Sequence, residues 1–460
     1  MGILHEIVAY KREFVKGLYQ QYNIDELRQS VEPCNKSLYA TLNALPADEK
    51  FLIAEFKRRS PSAGAINESV ALATQVVAYQ KAGANAISVL TDEQFFGGSY
   101  ADLKQAAQLC EGTGTLVLNK EFIIDPIQIY LARANGAHLV LLIASILKAD
   151  ELKLLKNLAE RLGMGVLMEV HNEAEYRKIQ DLGCQVIGIN NRDLDTFSVA
   201  LNTTNYLKQL VNSPYIIAES GIYNQLDINI LDEGIKGYLV GTSLMQGGNA
   251  KMLKTANKRL FFKACGLRRF DDLKLAKSDL VGINFSPLSK RKIVEKQLEN
   301  YNFKGNEVAV FYGNEESEIE AVLNKYPFSY AQLYADKVNA KQLSNLKCKV
   351  ILAIKVTPNF NYKDYEPFIQ KSDLVILDGA VPGSGEAFAD AYIPADFPYP
   401  FLLAGGMNEG NLERALAHPN CIGIDMASGI ESEGQVSIEK VNLIRSKLES
   451  LTVSHLEVVE

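Results

Sequence analysis

After residue 50 the chain alternates between short apolar segments and longer segments with helical periodicity, and this alternation limits the folds that it can adopt. Tight turns cannot join parallel strands, so a helix usually crosses between them. Segments rich in Val, Ile and Leu, such as residues 138–142, are typical of strands buried on both faces. Strands in the first half are predicted at residues 51–56, 86–90, 115–119, 138–142, 165–169, 186–190, 215–218 and 237–241.

The same alternation repeats over the second half of the chain. Eight strand–helix units in about 200 residues favour a closed (β/α)8 barrel over an open doubly wound sheet. A single sixteen-stranded sheet would exceed the usual size of one domain. We therefore predict an α/β protein with two (β/α)8 barrels in tandem, one formed by residues 1–256 and one by residues 257–460. Strands of the second barrel are predicted at residues 261–265, 280–285, 307–311, 329–333, 349–355, 373–377, 401–404 and 422–426.

The segment before the first predicted strand has apolar side chains at the spacing of an amphipathic helix. This pattern extends over residues 3–22. Its polar side mixes Glu and Lys, which favours packing against a domain over binding to a membrane surface. We therefore predict that the first barrel carries an N-terminal extension helix.

Charge and composition exclude several classes of function. The 460 residues carry a net charge of −7, which argues against non-specific nucleic-acid binding. No apolar segment approaches the roughly 18–20 residues of a membrane span, and the charged N-terminus does not fit a signal peptide. The histidines lack the spacing of metal ligands, so no metal site is expected. Six scattered cysteines favour reduced thiols and a cytoplasmic location, at positions 34, 110, 184, 265, 348 and 421.

Polar side chains stand at the predicted strand ends of the first barrel, where (β/α)8 barrels hold their active sites. In FLIAEFKRRSPSAG, the strand alternation places Glu55 and Lys57 on one face. Each such residue alone is more often a solvated rim residue, but their concentration at one mouth favours acid/base chemistry. The other strand-end residues are Lys120, Glu169, Asn190, Asn191, Arg192, Glu219, Ser220, Gly221, Gly241, Thr242 and Ser243. Ser220-Gly221 and Gly241-Thr242 follow strands seven and eight, where many such barrels bind phosphate.

The second barrel carries a different set of residues at its strand ends. Its first strand ends in Cys265, which could be a small buried apolar residue or, facing Asp378 across the mouth, a proton carrier. A proton-accepting thiol must be a thiolate, so its pKa needs help from nearby positive charge or amide dipoles. Gly405-Gly406 and Ser428-Gly429 repeat the predicted phosphate-binding pattern after strands seven and eight.

Seven stretches of the first half occur in a distinctive order: EFKRRSPSAG, SVLTDEQFFGGS, LNKEFIIDPIQIYLARANGAH, GVLMEVHNEAE, IGINNRDL, ESGI and LVGTSLM. Over residues 1 to about 255 the chain thereby resembles the indole-3-glycerol-phosphate synthase family. The resemblance implies closure of a pyrrole ring on an anilino-deoxyribulose phosphate, with loss of CO2 and water and without a cofactor.

The same resemblance implies roles for individual residues. Lys120 would be the general acid and Glu169 its partner base, and a lysine in a cation-rich, partly desolvated mouth is expected to have a lowered pKa. Glu55 and Lys57 would support the site, and Asn190 would help to position the substrate. Arg192 would bind the substrate carboxylate, and Ser60, Ser220, Gly221, Gly241 and Thr242 would hold the phosphate.

The second half resembles the phosphoribosylanthranilate isomerase family over residues from about 260 to 460. The resemblance rests on KACGL, SPLSKRKI, AQLYAD, LDGAVPGSG, LAGGM and IDMASGIE. It implies an Amadori rearrangement, in which an aminofuranose opens and an aminoaldose becomes an aminoketose. Cys265 would be the general base, Asp378 the general acid and Arg291 the clamp on the anthranilate carboxylate. The phosphate ligands would be Gly405, Gly406, Ser428 and Gly429.

The second half departs from the family pattern at two places. Tyr334 stands where the family has a histidine, and Val381-Pro382 precede the glycine-rich loop Gly383-Ser384-Gly385. The tyrosine could replace a hydrogen-bond donor or could only alter the packing. A related sugar-phosphate isomerase is one alternative for this barrel, and Cys265 argues against it. A catalytically silent or regulatory module is the other; Cys265, Arg291 and Asp378 argue against it, whereas Tyr334 leaves it open.

Together the two resemblances imply a fused enzyme of tryptophan biosynthesis in which the second barrel makes the substrate of the first. The expected partners are therefore phosphorylated anthranilate–sugar compounds, without nucleic acid or membrane. We expect the chain to be monomeric.

Overall fold

The computed structural model describes residues 2–231, 233–254, 259–269, 277–379 and 392–459. Packing of the Cα atoms divides the chain into two compact units. The first comprises Met1–Phe197 and Leu207–Ala256, and the second comprises Ser198–Tyr206 and Asn257–Glu460. A short segment within the first half of the sequence is therefore grouped with the second unit.

A closed barrel of eight parallel strands forms the first unit. Each strand pairs with its neighbours in sequence, and the last strand pairs with the first through the register Phe51↔Gly237. The strands are β1 (Phe51–Phe56), β2 (Ala86–Leu90), β3 (Leu116–Lys120), β4 (Leu139–Ile143), β5 (Gly165–Val170), β6 (Val186–Asn190), β7 (Tyr215–Glu219) and β8 (Gly237–Val240).

The second unit contains another closed barrel of eight parallel strands, so the predicted fold of two tandem barrels is confirmed. Its first and last strands pair through the register Phe261↔Gly423. The strands are β9 (Phe261–Cys265), β10 (Leu280–Asn284), β11 (Glu307–Val310), β12 (Tyr330–Tyr334), β13 (Lys349–Lys355), β14 (Leu374–Asp378), β15 (Phe401–Leu403) and β16 (Cys421–Met426).

Several strands extend further toward the barrel mouth than the sequence predicts. Lys120 is the last residue of β3, Glu219 the last residue of β7 and Asp378 the last residue of β14. These charged side chains therefore stand on hydrogen-bonded strands and not on the loops that follow them. A strand position fixes the direction of a side chain more tightly than a loop position does.

Helices connect the strands and cover their outer faces, as expected for strands joined by right-handed crossovers. The α-helices are α1 (Ile3–Gln21), α2 (Ile24–Ser30), α3 (Leu38–Ala44), α4 (Leu72–Lys81), α5 (Glu93–Phe96), α6 (Tyr100–Leu109), α7 (Pro126–Ala134), α8 (Ala149–Arg161), α9 (Glu173–Ile179), α10 (Asn202–Leu207), α11 (Gln225–Leu231), α12 (Thr242–Met245), α13 (Glu316–Lys325), α14 (Ala340–Ser344), α15 (Glu366–Ile369) and α16 (Ile438–Val459). Short 3-10 helices lie at Ala144–Ile146, Gln180–Leu182, Ala250–Leu253, Glu295–Leu298, Tyr362–Tyr365, Leu412–Leu416 and Ser428–Ile430.

The apolar cores follow the strand alternation. In the first unit, side chains such as Phe51, Ile53 and Leu118 form one buried cluster with residues of helix α3. In the second unit, Phe262, Leu352 and their neighbours form a larger buried cluster.

Buried charges inside the second barrel have polar partners, because an unpaired buried charge is costly: Lys263 pairs with Asp425, and Glu307 accepts hydrogen bonds from Tyr301 and Lys304 N–H.

The predicted N-terminal helix is confirmed as α1, which precedes the first barrel strand. Its buried residues are spaced three or four apart, and they are Ile7, Lys11, Val15 and Leu18. The hydroxyl of Tyr19 donates to Asp125 Oδ1 at 2.8 Å, and Asp125 in turn caps helix α7. Helix α1 is therefore attached to the barrel by both apolar and polar contacts.

A buried ion cluster is the strongest of these polar contacts. Lys11 Nζ lies 2.9 Å from Asp92 and 2.8 Å from Glu121, and all three side chains are at most 1% exposed. Burial lowers the pKa of Lys11, but the two carboxylates outweigh burial and raise it, so the ammonium stays charged. Glu121 directly follows Lys120, and Asp92 accepts hydrogen bonds from the first-turn N–H groups of Phe95 and Phe96. Lys11 thus connects α1 to two loops at the barrel mouth.

Within the part of the chain that the structure describes, no helix combines the length and apolar character that crossing a membrane requires.

Replacing Lys11 should destabilise the first barrel strongly. In Lys11→Met, two carboxylates would be left buried without their counter-ion, which typically costs about 3–5 kcal/mol of unfolding free energy. Native-state hydrogen exchange of the amides in β1–β8 would measure this loss, because it reports opening of this barrel alone.

Lys16→Met on the same helix is the matched control. Lys16 forms an ion pair with Glu13 at 2.7 Å, but the two side chains are 68% and 71% exposed. Such a surface pair contributes at most about 0.5 kcal/mol. Equal loss of protection in the two variants would contradict a special role for the buried cluster.

Candidate active sites

A cavity of about 880 Å³ opens at the carboxyl ends of the strands in the first barrel. Most of the predicted site residues line it. They are Glu55, Lys57, Lys120, Glu169, Asn190, Arg192, Ser220, Gly221, Gly241 and Thr242. Ser60 is not among the lining residues. It lies in a two-residue strand after β1, where its hydroxyl accepts a hydrogen bond from Ala63 N–H at 3.2 Å, so its phosphate contact stays a prediction.

Lys120 occupies the centre of this cavity between two glutamates. Its Nζ lies 3.0 Å from Glu169 Oε2 and 2.6 Å from Glu219 Oε2. Burial lowers the pKa of Lys120, but the charges of Glu169, Glu219 and Glu55 outweigh burial and raise it. The predicted lowering of this pKa was therefore wrong, because the mouth contains more carboxylates than cations close to the ammonium. Lys120 remains a protonated donor at physiological pH.

Three nitrogen atoms lie close to the carboxylate of Glu169. In addition to Lys120, His171 Nε2 lies 3.1 Å from Glu169 Oε1, and Asn190 Nδ2 donates to the same oxygen at 3.3 Å. Burial raises the pKa of Glu169, but Lys120 and His171 outweigh burial and lower it. Burial lowers the pKa of His171, but Glu169 and Glu175 raise it to about 10. Glu169 is therefore an ionised carboxylate.

Glu219 is a buried member of this cluster to which the sequence analysis gave no role. Burial and the charge of Glu169 raise its pKa, while Lys120 opposes them. Gly188 on the neighbouring strand leaves room for it, because a Cβ at Gly188 would stand 2.2 Å from Glu219 Oε1. The sequence signal for Glu219 was its position directly before Ser220-Gly221, a pair that was predicted only to bind phosphate.

Glu55 and Lys57 form an ion pair of 2.7 Å, on the shared face that strand alternation predicts. Burial raises the pKa of Glu55, but Lys57 and Lys120 outweigh burial and lower it. Gly241 accommodates this carboxylate, because a Cβ there would lie 2.5 Å from Glu55 Oε1. The pair therefore adds a second cation and a third carboxylate to the charge cluster around Lys120.

Arg192 lines the same cavity and is held by backbone. Its Nη1 donates to Phe197 O at 3.2 Å, and its own N–H donates to Asn190 Oδ1 at 3.0 Å. Burial lowers the pKa of the guanidinium, although Tyr223 and Glu55 oppose this. A guanidinium in this position can bind a carboxylate with two parallel hydrogen bonds.

A second cavity, of about 1260 Å³, opens at the carboxyl ends of the strands in the other barrel. Six of the predicted residues line it, namely Cys265, Arg291, Asp378, Gly405, Gly406 and Ser428. Gly429 is not a lining residue, and a Cβ there would stand 2.2 Å from Met407 O. Val381-Pro382 and Gly383-Ser384-Gly385 lie outside the described residues.

Cys265 ends strand β9 beside a buried ion pair. Lys263 Nζ lies 2.8 Å from Asp425 Oδ1, and a Cβ at Gly282 would stand 2.7 Å from Cys265 Sγ. Burial raises the pKa of the thiol, and the charges of Lys263 and Arg291 only partly oppose this. The positive charge expected beside Cys265 is present, but burial and the Asp425 carboxylate outweigh its effect on the pKa of the thiol.

Asp378 has the protonation behaviour of an acid that can work near neutral pH. Burial and the nearby Asp425 carboxylate raise its pKa to about 6, although Gly379 N–H, Lys263 and Tyr334 oppose them. Gly379 N–H donates to Asp378 Oδ1 at 2.8 Å. At neutral pH roughly one tenth of this carboxyl is therefore protonated, far more than for an ordinary aspartate.

Tyr334 lines the cavity. Its ring contacts that of Tyr312 edge-on, with 4.9 Å between the centroids, and Gln332 Nε2 donates to its hydroxyl at 3.5 Å. Hydrogen bonding from the Tyr334 side chain lowers the pKa of Asp378. The sequence left open whether Tyr334 replaces a hydrogen-bond donor or only alters the packing. Its effect on the pKa of Asp378 favours the replacement of a donor.

Arg291 pairs with an acidic residue of its own barrel. Its Nε and Nη2 donate to the two carboxylate oxygens of Glu431 at 2.6 and 2.9 Å. The predicted contact between Arg291 and a substrate carboxylate stays a prediction.

Among the described residues, no group of three or more His, Cys, Asp or Glu side chains could hold a metal ion.

Comparison with known proteins shows what these two barrels are similar to. Residues 4–256 match the family "Indole-3-glycerol phosphate synthase", and residues 262–447 match the family "N-(5'phosphoribosyl)anthranilate (PRA) isomerase". The solved structure of phosphoribosyl anthranilate isomerase from Thermus thermophilus aligns with 42% of this chain and 100% of its own length, at 27% identity and a TM-score of 0.36.

Relatives that contain both domains align over almost the whole chain. The tryptophan biosynthesis protein TrpCF of Buchnera aphidicola subsp. Schizaphis graminum is 33% identical over 97% of this chain and 99% of its own length. TrpCF of Haemophilus influenzae is 31% identical over 96% of both chains. The protein therefore belongs to the bifunctional TrpCF family of tryptophan biosynthesis, with an indole-3-glycerol phosphate synthase domain followed by a phosphoribosylanthranilate isomerase domain.

Proposed function

We propose that the residues at the two barrel mouths catalyse two successive steps of tryptophan biosynthesis. The isomerase barrel converts N-(5-phosphoribosyl)anthranilate to 1-(2-carboxyphenylamino)-1-deoxyribulose 5-phosphate. The synthase barrel cyclises that product to indole-3-glycerol phosphate, with loss of CO2 and water. The observation that supports this assignment most directly is Lys120 held between Glu169 and Glu219 in one mouth, and Cys265 with Asp378 in the other.

In the synthase, the aryl carbon that bears the carboxylate attacks the ketone carbon of the substrate. Lys120 donates a proton to the ketone oxygen as the carbon–carbon bond forms, and loss of CO2 restores the aromatic ring. Lys120, reprotonated from solvent, then gives a second proton to the new hydroxyl, which leaves as water. Glu169 accepts the proton lost from the ring carbon beside the nitrogen. Glu219 and Glu55 keep Lys120 protonated and oriented.

In the isomerase, Asp378 protonates the furanose ring oxygen, and the ring C–O bond breaks to give an open-chain iminium. The Cys265 thiolate removes the C2′ proton, and the resulting enolamine becomes the aminoketose. The proposed roles require the form with the proton on Asp378 and none on Cys265, and this is a minor form because burial raises the pKa of the thiol. Lys263 stabilises the thiolate of this form.

Phosphate binding is assigned to the loops after the last two strands of each barrel. In the synthase these are Ser220-Gly221 and Gly241-Thr242, which line the cavity. In the isomerase they are Gly405-Gly406 and Ser428, also at the cavity wall. Glycine lets the backbone approach the anion, and backbone N–H groups can donate to it.

We also infer a cytoplasmic location and a monomeric state. Six free cysteines among the described residues suit a reducing compartment. Sedimentation velocity of the purified chain would test the state of association.

The synthase roles can be tested with Lys120→Ala and Glu169→Gln. The wild-type chain should convert N-(5-phosphoribosyl)anthranilate through the aminoketose to indole-3-glycerol phosphate. Each variant should accumulate the aminoketose, with the synthase kcat at least ~100-fold lower, the usual contribution of an acid or base. Near-wild-type turnover would remove that residue from the mechanism, and wild-type accumulation of aminoketose would contradict the synthase activity.

Cys265→Ala should abolish the isomerase activity and leave the synthase activity on supplied aminoketose unchanged. The matched control is Cys421→Ala, because Cys421 is also buried but is not among the residues that line the cavity. Its variant should keep most of the isomerase activity. Retained turnover in Cys265→Ala, measured with N-(5-phosphoribosyl)anthranilate, would refute a role for the thiol as the base.

Tyr334→Phe should move the acidic limb of the isomerase pH–rate profile to higher pH. Below the Asp378 pKa, acid and base are both protonated and the rate falls, so this limb lies near pH 6. A hydrogen bond from Tyr334 favours the carboxylate, so its removal raises that pKa, by about 1 unit.

The pH profiles of kcat/KM for wild type and Tyr334→Phe should be measured with the same substrate. Ionisation of that substrate then affects both profiles equally, so the difference between them reports the enzyme. The synthase profile of the same variant should not move. An unchanged isomerase limb would show that Tyr334 has a packing role only.

A further inference from the structure

The turn after strand β7 contains a residue in an unfavourable backbone conformation. Three described non-glycine residues have positive φ, and Ser220, with φ 66°, is the one that lines the synthase cavity. Gly221, which follows it, has φ 82°. Glycine adopts left-handed conformations readily, whereas serine does so only when its surroundings hold it there.

Asn191 supplies two hydrogen bonds that restrain this turn. Its backbone N–H donates to Glu219 O at 2.9 Å, and its side-chain Nδ2 donates to Ser220 O at 3.1 Å. These two carbonyls belong to the peptide planes on either side of the Ser220 Cα. Fixing the orientation of both planes fixes φ and ψ of Ser220.

Asn191 does this from outside the cavity. It is 2% exposed and is not among the cavity-lining residues, unlike its neighbours Asn190 and Arg192. Asn190 contacts the catalytic Glu169, so adjacent asparagines after β6 serve two parts of the site. An effect of replacing Asn191 on the synthase can therefore be attributed to Ser220 and not to a lost contact between Asn191 and the substrate.

We propose that Asn191 is a positioning residue of the synthase, which holds Ser220 in its left-handed conformation and thereby keeps Ser220-Gly221 in place for the substrate phosphate. This inference depends on the phosphate site proposed above. A trans peptide points its N–H and C=O in opposite directions, so the bond from Asn191 to Ser220 O directs the Gly221 N–H away from Asn191. Without that bond the Ser220–Gly221 peptide can rotate, and the N–H is no longer preorganised.

A kinetic cycle of Asn191→Ala, Ser220→Gly and the double variant tests the inference. In the serine background, Asn191→Ala should raise the synthase KM for the aminoketose about tenfold, the scale of one lost buried hydrogen bond, with kcat changed less than about threefold. In the Ser220→Gly background the same change should raise KM less than about threefold, because the left-handed conformation costs glycine no strain. Equal effects in both backgrounds, or no effect in the serine background, would overturn the inference.

Inorganic phosphate distinguishes failure of the inference from failure of the phosphate site. It should inhibit the wild-type synthase competitively, and both Gly221→Ala and Asn191→Ala should weaken that inhibition about tenfold or more. If only Gly221→Ala weakens it, the phosphate site stands and the role of Asn191 is overturned. If neither variant does so, both assignments are overturned.

The isomerase activity of Asn191→Ala, which should remain at the wild-type level, reports that the chain is folded. Thermal unfolding of the variant accompanies this control. A fall in synthase rate that only matches a loss of folded protein, with KM unchanged, would overturn the positioning role.

Discussion

Parallel pairing that closes each barrel is the constraint on which both sites depend. Because every strand runs in the same direction, all eight carboxyl ends of a barrel meet at one mouth. Residues as distant in sequence as Glu55 and Glu219 therefore share one charge cluster around Lys120. The pairing of β8 with β1 is what brings the first and last of these strands together.

The two mouths use a buried lysine differently because the balance of charge around it differs. Lys120 is surrounded by carboxylates, so its own proton is held firmly and Glu169 remains ionised. Lys263 has one carboxylate partner, Asp425, and lies next to the thiol of Cys265. Its charge therefore supports a neighbouring thiolate, whereas the charge of Lys120 is available to a developing oxyanion.

The alternation of strands and helices predicted the fold and nearly all strand positions, because a buried parallel strand leaves a strong local pattern. The residues that gather at each mouth could also be predicted, because they stand at the carboxyl ends of the predicted strands. The sign of the Lys120 pKa shift could not be predicted, because it depends on which carboxylates approach within hydrogen-bonding distance across the barrel. Glu219 and Asn191 had weak sequence signals, since their importance comes from contacts between loops that are distant in sequence.

Gly188 and Gly282 have a consequence for attempts to stabilise this protein. Both lie inside strands with ordinary φ, where replacing glycine by alanine commonly stabilises a protein. A Cβ at either position would nevertheless collide with a functional atom, Glu219 Oε1 in one barrel and Cys265 Sγ in the other. A design procedure that selects positions by backbone geometry alone would therefore disturb both mouths and lose the expected gain in stability to overpacking.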